Sequence, residues 1–172
     1  MDIRYINPFI SSSREVFDKM LKLPLQVSKP HVRTEADNHY AVSAVIGMGG
    51  AVTGCIILGF SQRVATALAS GLAGMPFTAV DNDCVDALGE IVNMIAGAAK
   101  TQMPGGLSSL SVPNVILGMH QVKCPTGIVP IVIPCQTAAG PFAIEVAIRQ
   151  ASEGNEPVGR AVAEEALAQK GN

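Results

Sequence analysis

The stretch AVSAVIGMGGAVTGCIILGFSQ, residues 41–62, decides the fold expected of this chain. Gly49 and Gly50 stand at its centre like a hairpin turn, and the arm on either side has the length of a strand. Val and Ile, which favour strands, are concentrated in both arms. We therefore predict an antiparallel hairpin with strands at 39–48 and 51–60.

A membrane helix is the alternative for the same stretch. It carries no charge, and Gly50 and Gly54 have the spacing of a transmembrane dimer motif. Against a helix stand the central glycine pair and the lack of a Lys or Arg cluster at either end. We expect no membrane association.

The N-terminal side of the hairpin predicts a helix and an irregular strand. An apolar stripe runs through 7–23, with Asn7 as the N-cap and Pro8 at the first helical position. A short strand is expected at 25–33, and Pro30 assigns it to a sheet edge or a bulge.

The C-terminal side supplies two helices and three strands. They are a short helix at 61–70 capped by Ser61, a long helix at 83–103, and strands at 111–123, 127–135 and 141–149. This order implies an α+β fold, a two-layer sandwich of a largely antiparallel sheet and long helices. We expect one domain at 1–150 and a C-terminal tail at 151–172, which is rich in helix-forming residues.

Composition excludes several classes of function. The chain has 172 residues, 48% hydrophobic and 15% charged, with a net charge of −2, so it should not attract nucleic acid or anionic lipid. It contains no Trp on which single-stranded bases could stack. The start MDIRYINPFI is unlike a secretory signal, which makes the cytoplasm the expected compartment.

The cysteines point to free thiols. Cys55, Cys84, Cys124 and Cys135 form no C-x-x-C pair, and no His lies at metal-ligand spacing from them. We expect no bound metal and no cofactor in the isolated chain.

The long helix has two faces. The residues of the predicted buried stripe recur at spacings of three and four, and they are Val85, Leu88, Val92, Ile95 and Ala99. A second set with the same spacing lies on another side and comprises Asp86, Glu90, Asn93, Gly97 and Lys100. Glu90 and Asn93 should therefore point outward together, one turn apart. On periodicity alone, such a pair is usually a solvated face.

The run DALGEIVNM, residues 86–94, resembles the Asp/Ser-x3-Glu-x2-Asn signature of the CheX/CheC chemotaxis phosphatases. The opening YINPFI at 5–10, the hairpin IGMGGAVTG at 46–54 and LAGM at 72–75 are similar to the CheX branch. The resemblance covers about residues 1–150.

The family pattern also ends in a proline. Pro113 comes slightly sooner than that pattern has it, which weakens any role for Pro113.

The resemblance implies a phosphatase that acts on a phosphorylated response-regulator receiver of the CheY type. In this family role, Asn93 would hold the attacking water and Glu90 would pair with the receiver's lysine. Asp86 would add a polar contact, and Gly97 would let the partner's backbone come close. The Mg²⁺ that the reaction needs would arrive with the receiver, and the phosphatase would be a homodimer paired through its sheet.

Two other functions stay open. A non-catalytic receiver-binding or scaffold domain of the same fold would use the helix for docking only, whereas a flagellar-switch-like component would be structural. The first helix also carries Ser11, Glu15 and Asp18 in a similar spacing, but Asp18 stands where the signature has Asn. An ionised carboxylate only accepts hydrogen bonds and repels a phosphoryl group, so we expect one active site per chain, on the second long helix.

Overall fold

The predicted hairpin forms the centre of the sheet. In the computed structural model, which describes residues 3–37, 39–104 and 108–151, β3 (Tyr40–Gly50) pairs with β4 (Val52–Phe60) in an antiparallel register from Val42↔Phe60 to Met48↔Gly54. Gly50, with φ of 97°, takes the turn conformation that side chains rarely adopt. No helix in these described ranges is long and apolar enough to cross a membrane.

Three helices and six further strands complete the described chain. They are α1 (Ile3–Lys19), β1 (Gln26–Val27), β2 (His31–Val32), α2 (Gln62–Ala73), α3 (Asn82–Gln102), β5 (Ser108–Leu110), β6 (Asn114–His120), β7 (Ile131–Thr137) and β8 (Gly140–Gln150). The strand order is β1-β7-β8-β4-β3-β5, with β2 also on β7 and β6 also on β3, and every pair is antiparallel. The predicted α+β sandwich with an antiparallel sheet is confirmed.

The helices cover one face of this sheet. Phe17 of α1 stacks on Phe142 of β8 with ring centroids 5.2 Å apart, and Phe142 also contacts Phe60 of β4 at 5.5 Å. These rings belong to one apolar cluster that includes residues of all three helices. Burying this cluster supplies most of the free energy that orders the two layers.

The first helix differs from its prediction at both ends. It includes Ile3 and so starts before Asn7, which is therefore not its N-cap, and Pro8 lies inside it. Proline there removes one backbone hydrogen bond, but the earlier start buries Tyr5 and Ile6 in the core. The helix ends at Lys19, before the predicted 23.

Two of the predicted strands are shorter and more broken than the sequence suggested. The strand at 25–33 is two short strands, β1 and β2, on either side of Pro30. The strand at 111–123 is reduced to β6, with β5 before it, because Pro113 cannot donate to the ladder. The tail from residue 152 onward lies outside the described residues.

The other face of the sheet, here called the outer face, is also partly buried. Alternate β4 residues, including Ile56 and Leu58, join the core, so Ile57 and Gly59 point the opposite way. Ile57 is nevertheless fully buried. The ring of Tyr40 lies directly over Gly59, where a Cβ would have no room.

This contact generates a stability prediction. Gly59→Ala should lower the free energy of unfolding by about 2–4 kcal/mol, because the methyl would displace the Tyr40 ring and break its 2.6 Å hydrogen bond to Glu145. Gly97→Ala on α3 is the control: apart from its chain neighbours and the nearby backbone of its own helix, no described atom lies within 4 Å of its Cβ position, and alanine favours helix by up to about 1 kcal/mol. Urea unfolding measures both. Equal stability of Gly59→Ala and wild type would refute the contact.

Candidate functional site

Helix α3 is held in place on several sides. Its N-cap is Asp81, whose side chain accepts a hydrogen bond of 2.9 Å from the backbone of Cys84. At the other end, Gln102 Nε2 donates to Ser12 Oγ of α1 at 3.1 Å, and Ser11 Oγ donates to Gln102 Oε1 at 2.8 Å. Helices α1 and α2 both contact α3, which also packs on β3 and β4. The outward strip of α3 therefore has a fixed orientation.

The buried side of α3 is wider than the predicted stripe. Four of the five predicted residues are fully buried, whereas Val85 is only half-buried. The structure adds further buried residues on the same helix, which are Cys84, Gly89, Ile91 and Ala96. Neighbouring helices flank α3 in addition to the sheet beneath it, and this widens its buried side.

The predicted site residues lie along the strip that remains. Asp86 and Glu90 are exposed, and Asn93 and Gly97 are partly exposed. Glu90 and Asn93 are separated by three residues, a rise of about 4.5 Å along the helix. Within the described ranges, neither side chain makes a hydrogen bond or an ion pair, so both are available to a partner. Asp86 plays no capping role, since Asp81 provides the cap.

The first helix presents a different environment. Glu15 forms an ion pair with Lys19 at 2.6 Å, one turn further along α1. That contact raises the pKa of Lys19, through a hydrogen bond to Glu15 and its charge. Asp18 is exposed on the same helix. Glu15, the glutamate of the similar pattern on α1, is thus already paired within its own helix, unlike Glu90.

Pro113 contacts α3, which the sequence did not predict. A Cβ at Gly89 would lie 3.5 Å from Pro113 Cβ, so the proline packs on α3 at the residue before Glu90. The preceding Ser111 anchors this turn to β3: its backbone N–H donates to Gly47 O at 3.0 Å, and its Oγ accepts from Gly47 N at 2.9 Å. Between them, Val112 is 80% exposed. The spacing of Gly89 and Pro113 gave no signal of this contact.

The strip and the Pro113 turn together form a candidate docking surface. It offers a carboxylate, a neutral amide, an exposed apolar side chain and, at Gly97, bare helix backbone. Among residues 3–37, 39–104 and 108–151, no three His, Cys, Asp or Glu side chains are grouped as a metal ion would require. Such a surface can orient a water molecule and pair with a cation of a partner.

Known proteins resemble this chain in sequence. A family model described as chemotaxis phosphatase CheX matches residues 42–136. The CheY-P phosphatase CheX of Thermotoga maritima is 30% identical over 121 residues, which cover 69% of this chain and 78% of that relative.

Solved structures show the same fold. The chemotaxis protein CheX of Desulfovibrio desulfuricans is 27% identical, with a TM-score of 0.76, over 86% of this chain and 99% of that one. A CheX-CheY-BeF3-Mg²⁺ complex from Borrelia burgdorferi contains a chain that is 24% identical, with a TM-score of 0.73, over 85% and 98% of the two chains.

The contact between Gly89 and Pro113 can be tested by side-chain size. Gly89→Ala should raise the free energy of unfolding by up to about 1 kcal/mol, because its methyl would meet Pro113 at ordinary contact distance and alanine favours helix. Gly89→Leu should lower it by about 1–3 kcal/mol, since the longer side chain has to push the turn away. Thermal unfolding of both variants is the measurement. A leucine variant as stable as the alanine variant would show that Pro113 does not rest on α3.

Proposed function

Because this chain belongs to the CheX family of chemotaxis phosphatases, we propose that it hydrolyses the aspartyl phosphate of a CheY-type receiver, with Asn93 and Glu90 as the working pair. One observation carries the assignment of residues: an amide and a carboxylate, both without partners in the described chain, lie one turn apart on the outward strip of α3. The named activity of the Thermotoga relative supports the substrate class.

Asn93 is suited to position the attacking water. Its amide oxygen accepts a hydrogen bond and its NH₂ group donates, so it can hold a water in line with the bond that breaks. Phosphoryl transfer depends mostly on positioning and charge stabilisation. The amide is also neutral, whereas a carboxylate at about 4 Å from the phosphoryl group would cost about 1 kcal/mol even in water.

Glu90 is suited to dock the receiver. Its exposed carboxylate would pair with the receiver's lysine, and that ion pair would fix the position of Asn93 over the phosphoryl group. The Mg²⁺ would belong to the receiver, which supplies its own ligands. The turn at Val112 would add an apolar contact beside Glu90, and Gly97 would admit the receiver's backbone further along α3.

The roles proposed for Asn93 and Glu90 predict how substitutions there change the rate of receiver dephosphorylation. Asn93→Ala should slow the decay of a phosphorylated receiver by about 100-fold relative to wild type, because the water loses its position. Asn93→Asp should be no better, since it restores size but adds charge. Glu90→Ala should raise the receiver concentration needed for half-maximal rate and lower the maximal rate. The measurement is phosphate loss from several receivers of one cell, with and without the protein.

Helix α1 supplies the matched controls for this experiment. Glu15→Ala and Asp18→Ala should dephosphorylate at near the wild-type rate, provided that circular dichroism shows an intact fold. Activity that is lost in Asp18→Ala and kept in Asn93→Ala would reverse the site assignment. Tight binding of the phosphorylated receiver by wild type without faster decay would favour the scaffold function instead.

We also propose that the protein is a homodimer that pairs along β6. This strand pairs only with β3 among the described strands and thus leaves one edge without a ladder partner. Its exposed apolar residues are Ile116, Leu117 and Met119, the last 75% exposed. An open, apolar edge strand is a template for a second copy of the same strand.

If the protein is a dimer paired along β6, one substitution on that strand should lower its molecular mass in solution. Leu117→Lys should yield a monomer by light scattering at micromolar concentration, because two copies would place the new charges in the paired edge. Met75→Lys, which alters an exposed methionine after α2, should leave the dimer intact. A wild-type protein that is monomeric under the same conditions would contradict the proposal.

A further inference from the structure

The outer face of the sheet buries a complete ionic cluster. Glu145 of β8 is 0% exposed, yet both of its carboxylate oxygens are paired. Oε2 accepts from Arg33 Nη1 at 2.9 Å, and Oε1 accepts from the Tyr40 hydroxyl at 2.6 Å. Burial and the hydrogen bond to Glu145 together raise the pKa of Tyr40, which therefore stays a neutral donor. A buried carboxylate needs such partners, and here they come from the segments before β3 and at its start.

The same arginine holds a loop across this face. Arg33 Nη1 also donates to Val122 O at 3.0 Å and lies 3.5 Å from Cys124 Sγ. Both acceptors belong to the connection 121–130, which runs from β6 at one side of the sheet to β7 at the other. Cys124 is consequently fixed next to a cation, and it is only partly buried.

A second thiol meets Cys124 at this point. Cys55 lies on β4, two residues from Ile57, and so faces the outer side of the sheet. Ile57 lies opposite Glu145 in the β4–β8 ladder, so Cys55 lies diagonally beside the same Arg33–Glu145 pair that Cys124 contacts. Each thiol shifts the pKa of the other. Two cysteines far apart in sequence therefore share one site with a guanidinium group.

The two thiols are made chemically unequal by their surroundings. The neighbouring Cys55 thiol and the charge of Arg33 lower the pKa of Cys124 to about 7, although burial and Glu145 oppose this. The neighbouring Cys124 sulfur and burial raise the pKa of Cys55. Near neutral pH, a sizeable fraction of Cys124 is thus thiolate, the nucleophilic form, while Cys55 keeps its proton.

We propose that Cys124 and Cys55 form a reversible oxidation site whose oxidant is a hydroperoxide. The Cys124 thiolate attacks the peroxide oxygen, the O–O bond breaks, and with one proton the products are Cys124 sulfenic acid and water or an alcohol. The Cys55 sulfur then attacks the sulfenic sulfur, and its proton leaves with the hydroxyl as water. The two thiols lose two electrons, the peroxide gains them, and an intramolecular disulfide remains.

The other two cysteines serve as internal controls. Cys84 is buried in α3, and burial raises its pKa. Cys135 is buried in β7, and burial raises its pKa to about 12. Neither is a thiolate near neutral pH, so peroxide should discriminate against both.

The experiment counts and locates thiols after treatment of the purified protein with one equivalent of hydrogen peroxide at pH 7. Wild type should fall from four free thiols to two, and peptide mass spectrometry should find Cys55 joined to Cys124 within one chain. Because the new bond ties the 121–130 loop to β4, Tm should rise by about 5–10 °C and return on reduction. Cys55→Ser should stop at a sulfenic acid on Cys124 that dimedone traps, and Cys124→Ser should lose no thiol.

The role of Arg33 is tested by pH. Alkylation of Cys124 by iodoacetamide should accelerate as pH rises through about 7 in wild type, because the thiolate appears there instead of near its usual 9.0. Arg33→Lys keeps the charge but loses the fixed guanidinium geometry, and the midpoint should move upward. The proposal is overturned if peroxide leaves all four thiols, consumes Cys84 or Cys135 first, or cross-links two chains on a non-reducing gel. A wild-type alkylation midpoint near 9 overturns it as well.

Discussion

The burial of α3 on several sides is the constraint on which the rest of the structure depends. The helix lies on β3 and β4 and between its neighbours α1 and α2, so the side that faces them is apolar and buried. Only a narrow strip is left for polar residues, and packing density in a protein interior leaves the helix little freedom to rotate. The direction of that strip is therefore decided by apolar residues that take no part in the chemistry.

This arrangement also distinguishes α3 from α1, although the two helices carry similar sequence patterns. The strip of α3 presents Glu90 and Asn93 without internal partners, whereas Glu15 of α1 is held by Lys19. An exposed intrahelical ion pair adds little to stability, but it occupies the carboxylate that a docking function would need. Asn93 is also a neutral amide, whereas Asp18 is a carboxylate. This difference likewise favours α3 over α1 as the helix that carries the site.

The two faces of the sheet are stabilised by different interactions. The helical face is a continuous apolar cluster, stabilised by removal of its side chains from water. Among the residues that the structure describes, the outer face has no helical layer and is covered by connecting segments, which are held by Arg33, Tyr40 and the buried Glu145. Burying charge costs several kcal/mol per ion unless its partners are well placed, so this second layer depends on exact hydrogen bonding more than on area.

The sequence by itself determined the elements whose signals are local. The Gly49-Gly50 turn between two apolar arms required a hairpin, and the 3–4 spacing of apolar residues required α3 and put Glu90 beside Asn93. Only the tertiary structure decided the rest. Pro8 lies inside α1 because burial of Tyr5 and Ile6 outweighs one lost hydrogen bond. Likewise, Pro113 meets Gly89, and Cys124 meets Cys55 and Arg33, through packing between segments distant in the chain. The hydrophobic periodicity of the sequence does not reveal such contacts. They depend on how sheet order and connecting loops bring remote residues together.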